Sequence, residues 1–264
     1  MRIFLYRWLF LLLALLTLLP LSAQDGPYHL SYRRDFPLGA VAAGSAVTGY
    51  LINRGIPDIA QRDLALPAVP SFDDAALGRV SASALTASDV VAYGTVVLPA
   101  TLLLDGAVRR DAFTVGVLFA ETMLLNQGVT DIVKGLVQRP RPYLYAADRG
   151  PDVVVEAYDR TSYFSAHTSN TAAAAFFLGR VFADYHPQSP LRPVVWTVAA
   201  ALPAVAGYLR VRSGQHFPTD VISGYAVGAA IGYGIPALHR KPVRGVTLLP
   251  AGAGVYLCYT FPAR

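Results

Sequence analysis

The sequence predicts an all-α fold, a polytopic helical bundle of five or six spans embedded in a membrane. Three observations predict it. Apolar residues make up 54% of the 264, charged residues 15%, and the mean hydropathy is +0.41, too apolar for an ordinary soluble domain. Five stretches rich in Ala, Val, Leu and Gly recur along the chain, near the length of about 20 residues that crosses about 30 Å of hydrocarbon. Gly and Ala recur along these stretches, as suits close backbone packing between helices in lipid.

Taken in order, residues 1–23 read as a secretory leader: Arg2 and Arg7 are its positive head, residues 8–21 its apolar run, and Leu21-Ser22-Ala23 its cleavage site. An uncleaved anchor helix is the alternative, because the run approaches the length of a span. Residues 24–87 form an N-terminal segment. Within it 38–52 is Gly/Ala-rich and weakly apolar, and either spans or lies at the interface. Residues 53–88 carry four Asp, three Arg and three Pro, the composition of an extramembrane connection, with a short helix expected at 72–77.

Residues 88–244 form the helical core, with spans expected at 90–104, 113–133, 171–182, 194–209 and 221–238. The recurrence of Gly224, Gly228, Gly232 and Gly234 suits close backbone packing between helices in lipid. Arginine marks orientation, because cytoplasmic loops retain Lys and Arg. Arg109, Arg110, Arg180, Arg192, Arg240, Lys241 and Arg244 fall on connections that alternate to one side, which places that side in the cytoplasm. The loops 135–169 and 210–219 then face the periplasm or exterior of a bacterial-type inner membrane. Parity fits if the leader is cleaved and 38–52 does not cross. Residues 245–264 read as an extended tail.

The net charge of +5 comes from twenty arginines and two lysines spread thinly along the chain. It forms no basic tract of the kind that binds nucleic acid. The single cysteine, Cys258, forms no internal disulfide and reads as a packing residue. Membrane lipids are the expected surroundings, and nothing in the pattern sets an oligomeric state.

Polar groups bordering an apolar bundle are costly, so those at span ends point to a site. Three clusters qualify. In Lys134-Gly-Leu-Val-Gln-Arg-Pro-Arg141-Pro142 the spacing predicts Lys134 and Arg141 on one helix face, two turns apart, before Pro140 and Pro142 stop the helix. In Tyr163-Phe-Ser165-Ala166-His167-Thr-Ser169 a Ser/Thr-rich helix start offers free backbone N–H groups to an anion and a histidine that can give a proton. In Arg210-Val-Arg-Ser-Gly-Gln-His216-Phe-Pro-Thr-Asp220 a carboxylate four residues from an imidazole can fix its tautomer. Each cluster alone is more often a structural feature. Together, on one predicted face, they supply three cations, a nucleophile, an orienting acid and a proton donor.

The order and spacing of these clusters resemble the K-x6-RP, PSGH and SR-x5-H-x3-D signature of the phosphatidic acid phosphatase type 2 superfamily, over about residues 88–238. The resemblance implies a metal-independent phosphatase without a cofactor, in which Lys134, Arg141 and Arg210 bind phosphate together with Ser165 and Ala166 of the second motif. His216 attacks phosphorus, His167 protonates the leaving oxygen, and Asp220 orients His216. Phe164, Ala166 and Leu209 stand where the signature has proline, glycine and serine. No P-loop and no His/Cys/Asp cluster with zinc-like spacing is present in the sequence. His29, His186 and His239 fall outside the motifs and are expected at the surface.

A lipid phosphate or polyprenyl diphosphate is the expected substrate, since a site at the mouth of a bundle lets a tail stay in the bilayer. The sequence does not separate phosphatidic acid, phosphatidylglycerol phosphate, undecaprenyl diphosphate and lipid A. Two other readings stay open at this point: a vanadium-dependent haloperoxidase-like enzyme, and a non-catalytic scaffold or transporter.

Overall fold

A computed structural model describes residues 26–65, 70–241, 246–251 and 254–259. The leader-like segment and Arg244 lie outside them. Each expected span is helical: α1 Tyr32–Arg54, α2 Ala82–Val97 with a 3-10 continuation Leu98–Leu104, a short α3 Gly106–Arg110, α4 Ala112–Val137, α5 Ala166–Tyr185, α6 Arg192–Arg212 and α7 Pro218–His239. The ends follow local chemistry. Ser81 Oγ and Ser165 Oγ accept first-turn amides at the starts of α2 and α5, and prolines occupy the first turns of α6 and α7. The helix expected at 72–77 is a single 3-10 turn, Asp74–Ala76.

Among the described residues, four segments are long and apolar enough to cross a membrane: Ala82–Leu104, Ala112–Tyr145, Arg192–Arg212 and Pro218–His239. The span expected at 171–182 lies in α5, which has 20 residues but a polar first turn. It runs through the middle of the bundle, against α2, α4, α6 and α7. A helix walled in by its neighbours needs no apolar surface toward lipid.

The bundle has two ends. At one, Tyr185 donates to Asp111 (2.9 Å), His186 lies 3.4 Å from Asp105 and Arg240 3.5 Å from Asp184. This end collects the arginine-bearing connections, as expected, and an apolar core containing Val108, Val115, Leu118, Phe177 and Val181. The other end holds residues 55–65 and 70–81 and the connections 138–165 and 213–217, tied by the two-stranded pairing of β1 Ile59–Ala60 with β2 Val154–Val155.

Helix α1 joins the two ends. It starts where His29 N–H donates to the His239 carbonyl and Arg34 to that of Leu238 (both 3.0 Å), and finishes where Asn53 donates to the Asp131 carbonyl (2.6 Å). At 1.5 Å per residue its 23 residues span about 35 Å. Residues 38–52 therefore lie in the middle of a helix that links the two ends of the bundle, and residues 26–31 sit at the arginine-rich end. Removal of a leader at Ala23 after export would leave that end outside, the opposite of the side expected from the arginines.

Two other expectations change. His239 is fully buried between helices rather than at the surface, whereas His29 and His186 are partly exposed. The tail pairs with itself, β3 Val246–Ala251 running antiparallel to β4 Gly254–Tyr259.

Candidate active site

The three motifs converge at the end opposite the arginine-bearing turns. The third brings His216 and Asp220 together through a helix start. Pro218 opens α7, and Asp220, in its first turn, accepts the Phe217 N–H at 2.9 Å. This capping bond turns the carboxylate back toward His216, whose Nδ1 lies 3.4 Å from Asp220 Oδ2 and 3.3 Å from Ser162 Oγ. Ser162 in turn donates to Asp220 Oδ2. With Nδ1 facing the carboxylate, the other nitrogen, Nε2, faces the Arg141 guanidinium at 3.4 Å. His216 is buried, and that burial, with Arg141, Lys134, Arg210 and His167 nearby, holds its pKa well below the usual imidazole range. The ring is therefore neutral, with a lone pair toward the cations.

The first motif departs from its expected geometry. Helix α4 ends at Val137, Gln138 adopts the left-handed conformation (φ 47°) and Arg141 is extended, so Lys134 and Arg141 do not share a helix face. Pro140 disfavours helical backbone at Arg139, which stops the helix a residue earlier still. The two cations nonetheless meet over one carbonyl. Lys134 Nζ donates to Thr161 O and, at 3.3 Å, to Ser162 O, while Arg141 donates to Tyr158 O (3.1 Å), Gln215 O (2.9 Å) and Thr161 O (3.4 Å). Carbonyl dipoles position these cations without cancelling their charge.

The second motif caps α5. Ser165 Oγ accepts the Thr168 N–H (3.3 Å) and hydroxyl (3.0 Å), Ala166 is the first helical residue, and the amides of that turn point out of the helix end. His167 Nε2 lies 2.9 Å from Asp89 Oδ1, and Arg210 NH1 lies 3.3 Å from the same oxygen. Arg210 NH2 donates to Gln215 Oε1 (3.3 Å), an oxygen that Arg141 also approaches at 3.3 Å. His167, Asp89, Arg210, Gln215, Arg141 and His216 thus form one connected set, with Lys134, Ser165, Ala166 and Asp220 around it.

Several members escape a reading of the sequence. Asp89 lies at the lip of an apolar run, so the rule that singles out the three motifs also applies to it. Arg139 sits inside the first motif and binds Asp220 (2.6 Å) and Asp73 (2.8 Å), with its guanidinium 3.9 Å from the Phe217 ring. Asp73 also accepts the Thr219 N–H at 3.0 Å. Asp73 comes from the 53–88 connection, and no local pattern announces a partner 146 residues away.

A helical bundle with four membrane-spanning candidates among the described residues gathers three cations and two histidines at one end, which defines the class as a helical membrane protein with a cationic pocket. Residues 115–244 match the PAP2 superfamily model, and through that region the chain belongs to the PAP2 superfamily. It is 28% identical over 132 residues to lipid A 4'-phosphatase of Porphyromonas gingivalis, covering 47% of this chain and 50% of the relative. It is 37% identical over 101 residues to decaprenylphosphoryl-5-phosphoribose phosphatase of Mycobacterium tuberculosis, covering 38% and 48%. The chain thus spans about half the length of the curated relatives it matches. A transmembrane PAP2-type phosphatidylglycerolphosphate phosphatase from Bacillus subtilis aligns over 75% of this chain and 96% of its own, at 16% identity and a TM-score of 0.35.

Proposed function

We propose that the protein is a phosphatase that hydrolyses a lipid phosphate or polyprenyl diphosphate through a phosphohistidine intermediate. The observation that carries this reading is His216, whose Nδ1 faces Asp220 and whose Nε2 faces Arg141. In the first step Nε2 attacks phosphorus, an N–P bond forms, the ester P–O bond breaks, and His167 protonates the leaving oxygen. In the second, water attacks phosphorus, His167 takes its proton, and the N–P bond breaks to release phosphate and restore His216. Lys134, Arg141 and Arg210 offset the charge on the non-bridging oxygens, the task of Mg²⁺ in many phosphoryl-transfer sites, and the first-turn amide of Ala166 adds a donor.

A lipid substrate is supported by the names of both curated relatives, each of which denotes a lipid-linked phosphoester. It is also supported by Tyr93, 41% exposed on α2, whose ring lies edge-on 6.0 Å from His167, so the outer face of the bundle reaches the pocket. The site is proposed to face the periplasm or exterior, with the arginine-rich end in the cytoplasm.

The test is phosphate release by detergent-purified protein in EDTA, from a panel of lipid phosphates and one soluble ester. His216→Ala is expected to lower release by at least about a thousandfold. Equal release by wild type and variant would sink the histidine mechanism. No release by either would favour the scaffold reading, and halide oxidation with added vanadate would favour the haloperoxidase.

A further inference from the structure

A second polar cluster lies at the arginine-rich end of the bundle, among α1, α4 and α7. His239 Nε2 is 3.2 Å from Asp35 Oδ1 and 3.1 Å from Glu121 Oε2, and the three atoms lie within 4.8 Å of one another. His239 is 0% exposed and Glu121 8%. Acidic groups and a histidine inside a membrane bundle are costly to keep there without a purpose.

The hydrogen bonding of His239 is decisive. Its Nδ1 lies 2.7 Å from the Ile235 carbonyl. A carbonyl only accepts, so Nδ1 carries the ring proton, and in the neutral ring Nε2 is a bare lone pair. That lone pair points between two carboxylate oxygens and would be repelled by both unless a cation lies between them. A proton fits poorly, because neither oxygen is placed to accept a hydrogen bond from Nε2, and Glu121 Oε2 has no hydrogen-bond donor either. A metal ion fits better. Zinc binds imidazole nitrogen at about 2.0–2.1 Å and carboxylate oxygen at about 2.0–2.2 Å, so tetrahedral ligands stand about 3.3 Å apart. The 3.1 and 3.2 Å separations are close to that spacing, and a second ring nitrogen anchored on a backbone carbonyl is the usual posture of a metal-binding histidine.

We infer that Asp35, Glu121 and His239 bind one divalent transition-metal ion, of which Zn²⁺ is the first probe, and that this ion fastens α1 and α4 to α7. One imidazole and two carboxylates suit such a borderline ion. Arg34 and Ser31 stand behind Asp35 and orient it, Arg34 Nε donating to Oδ1 and Ser31 N–H to Oδ2, both at 2.6 Å. Arg34 is itself held by the carbonyls of His29 (2.6 Å) and Leu238 (3.0 Å). The site lies at the end opposite the phosphate pocket, so its role is structural.

The full chain, purified in detergent, is stripped with EDTA, freed of chelator, and titrated with Zn²⁺ alone, reading bound metal by elemental analysis and the melting temperature. Wild type is expected to hold one ion per chain and to melt higher with it. Glu121→Gln is expected to bind at least about tenfold more weakly and to lose the melting shift. Asp35→Asn is the second variant should the first not fold. A wild type that holds no ion, or variants that hold it as well as wild type, would overturn the inference.

Discussion

His216 is buried among Lys134, Arg141 and Arg210, and burial alone disfavours charging its ring. The cations, with His167 close by, add to that effect. The sign of the pH response follows. Because the folded pKa lies below the usual value of about 6.5, the neutral ring needed for attack persists as pH falls through 6.5. His216 should therefore impose no loss of activity there, and its acid limb should appear only well below. The unfolded chain does take up a proton near 6.5, so this group's effect on stability is fully present above that pH and declines below it, by at most about 1.4 kcal/mol per pH unit. The check is the acid limb of kcat measured with the detergent-purified protein, where a limb at 6.5 that vanishes in no other site variant would contradict the assignment. At this scale the pairing of His216 with Asp220 is legible in the sequence, because four residues at a helix start fix the geometry locally. The roles of Asp73, Asp89 and Arg139 are not, because their partners come from distant segments. The burial of His239 is hidden for the same reason, since Asp35 and Glu121 are brought to it only by packing.

Among the elements, the contact between α5 and α7 positions the site. A Cβ at Gly224, Gly228 or Gly232 would lie 2.7 Å from Ser165 O, 2.1 Å from Ser169 O or 2.2 Å from Ala173 O, so the two backbones touch along three turns. Gly224 abuts the residue that caps α5, and the Ser165 N–H donates to the Asp220 carbonyl at 3.0 Å. The seam thus fixes the second motif against the third. Gly228→Ala must push the helices apart and is expected to destabilise the fold by about 1–3 kcal/mol, with lower phosphate release as the motifs separate. Gly234, on the same helix, faces open space, with nothing within 4 Å of where a Cβ would sit, and Gly234→Ala should be neutral or stabilising by up to about 1 kcal/mol. Thermal melting of both variants in detergent decides the matter, and equal melting temperatures would refute a close seam at Gly228. The glycine spacing is legible in the sequence as a packing face. The break at Gln138 is not, because the prolines set an upper bound on the helix while the left-handed turn before them ends it sooner.

For the whole molecule, orientation is the property on which two sequence expectations collide, and the path of α1 is what makes them collide. Were 38–52 confined to the interface, a cleaved leader and a cytoplasmic arginine-rich end could coexist. Since α1 runs from the His239 end to the Asp131 end, residues 26–31 share a side with Arg109, Arg110, Arg192, Arg240 and Lys241. If arginine is retained on the cytoplasmic side, residue 26 is expected inside and the candidate pocket outside. A reporter fused after Arg244 is expected to read cytoplasmic, and the N-terminal segment to remain on the mature chain when its mass is measured. A reporter that reads periplasmic, together with a chain shortened at Ala23, would place the pocket inside. A phosphatase acting there would meet lipid head groups of the inner leaflet rather than those exposed at the outer face.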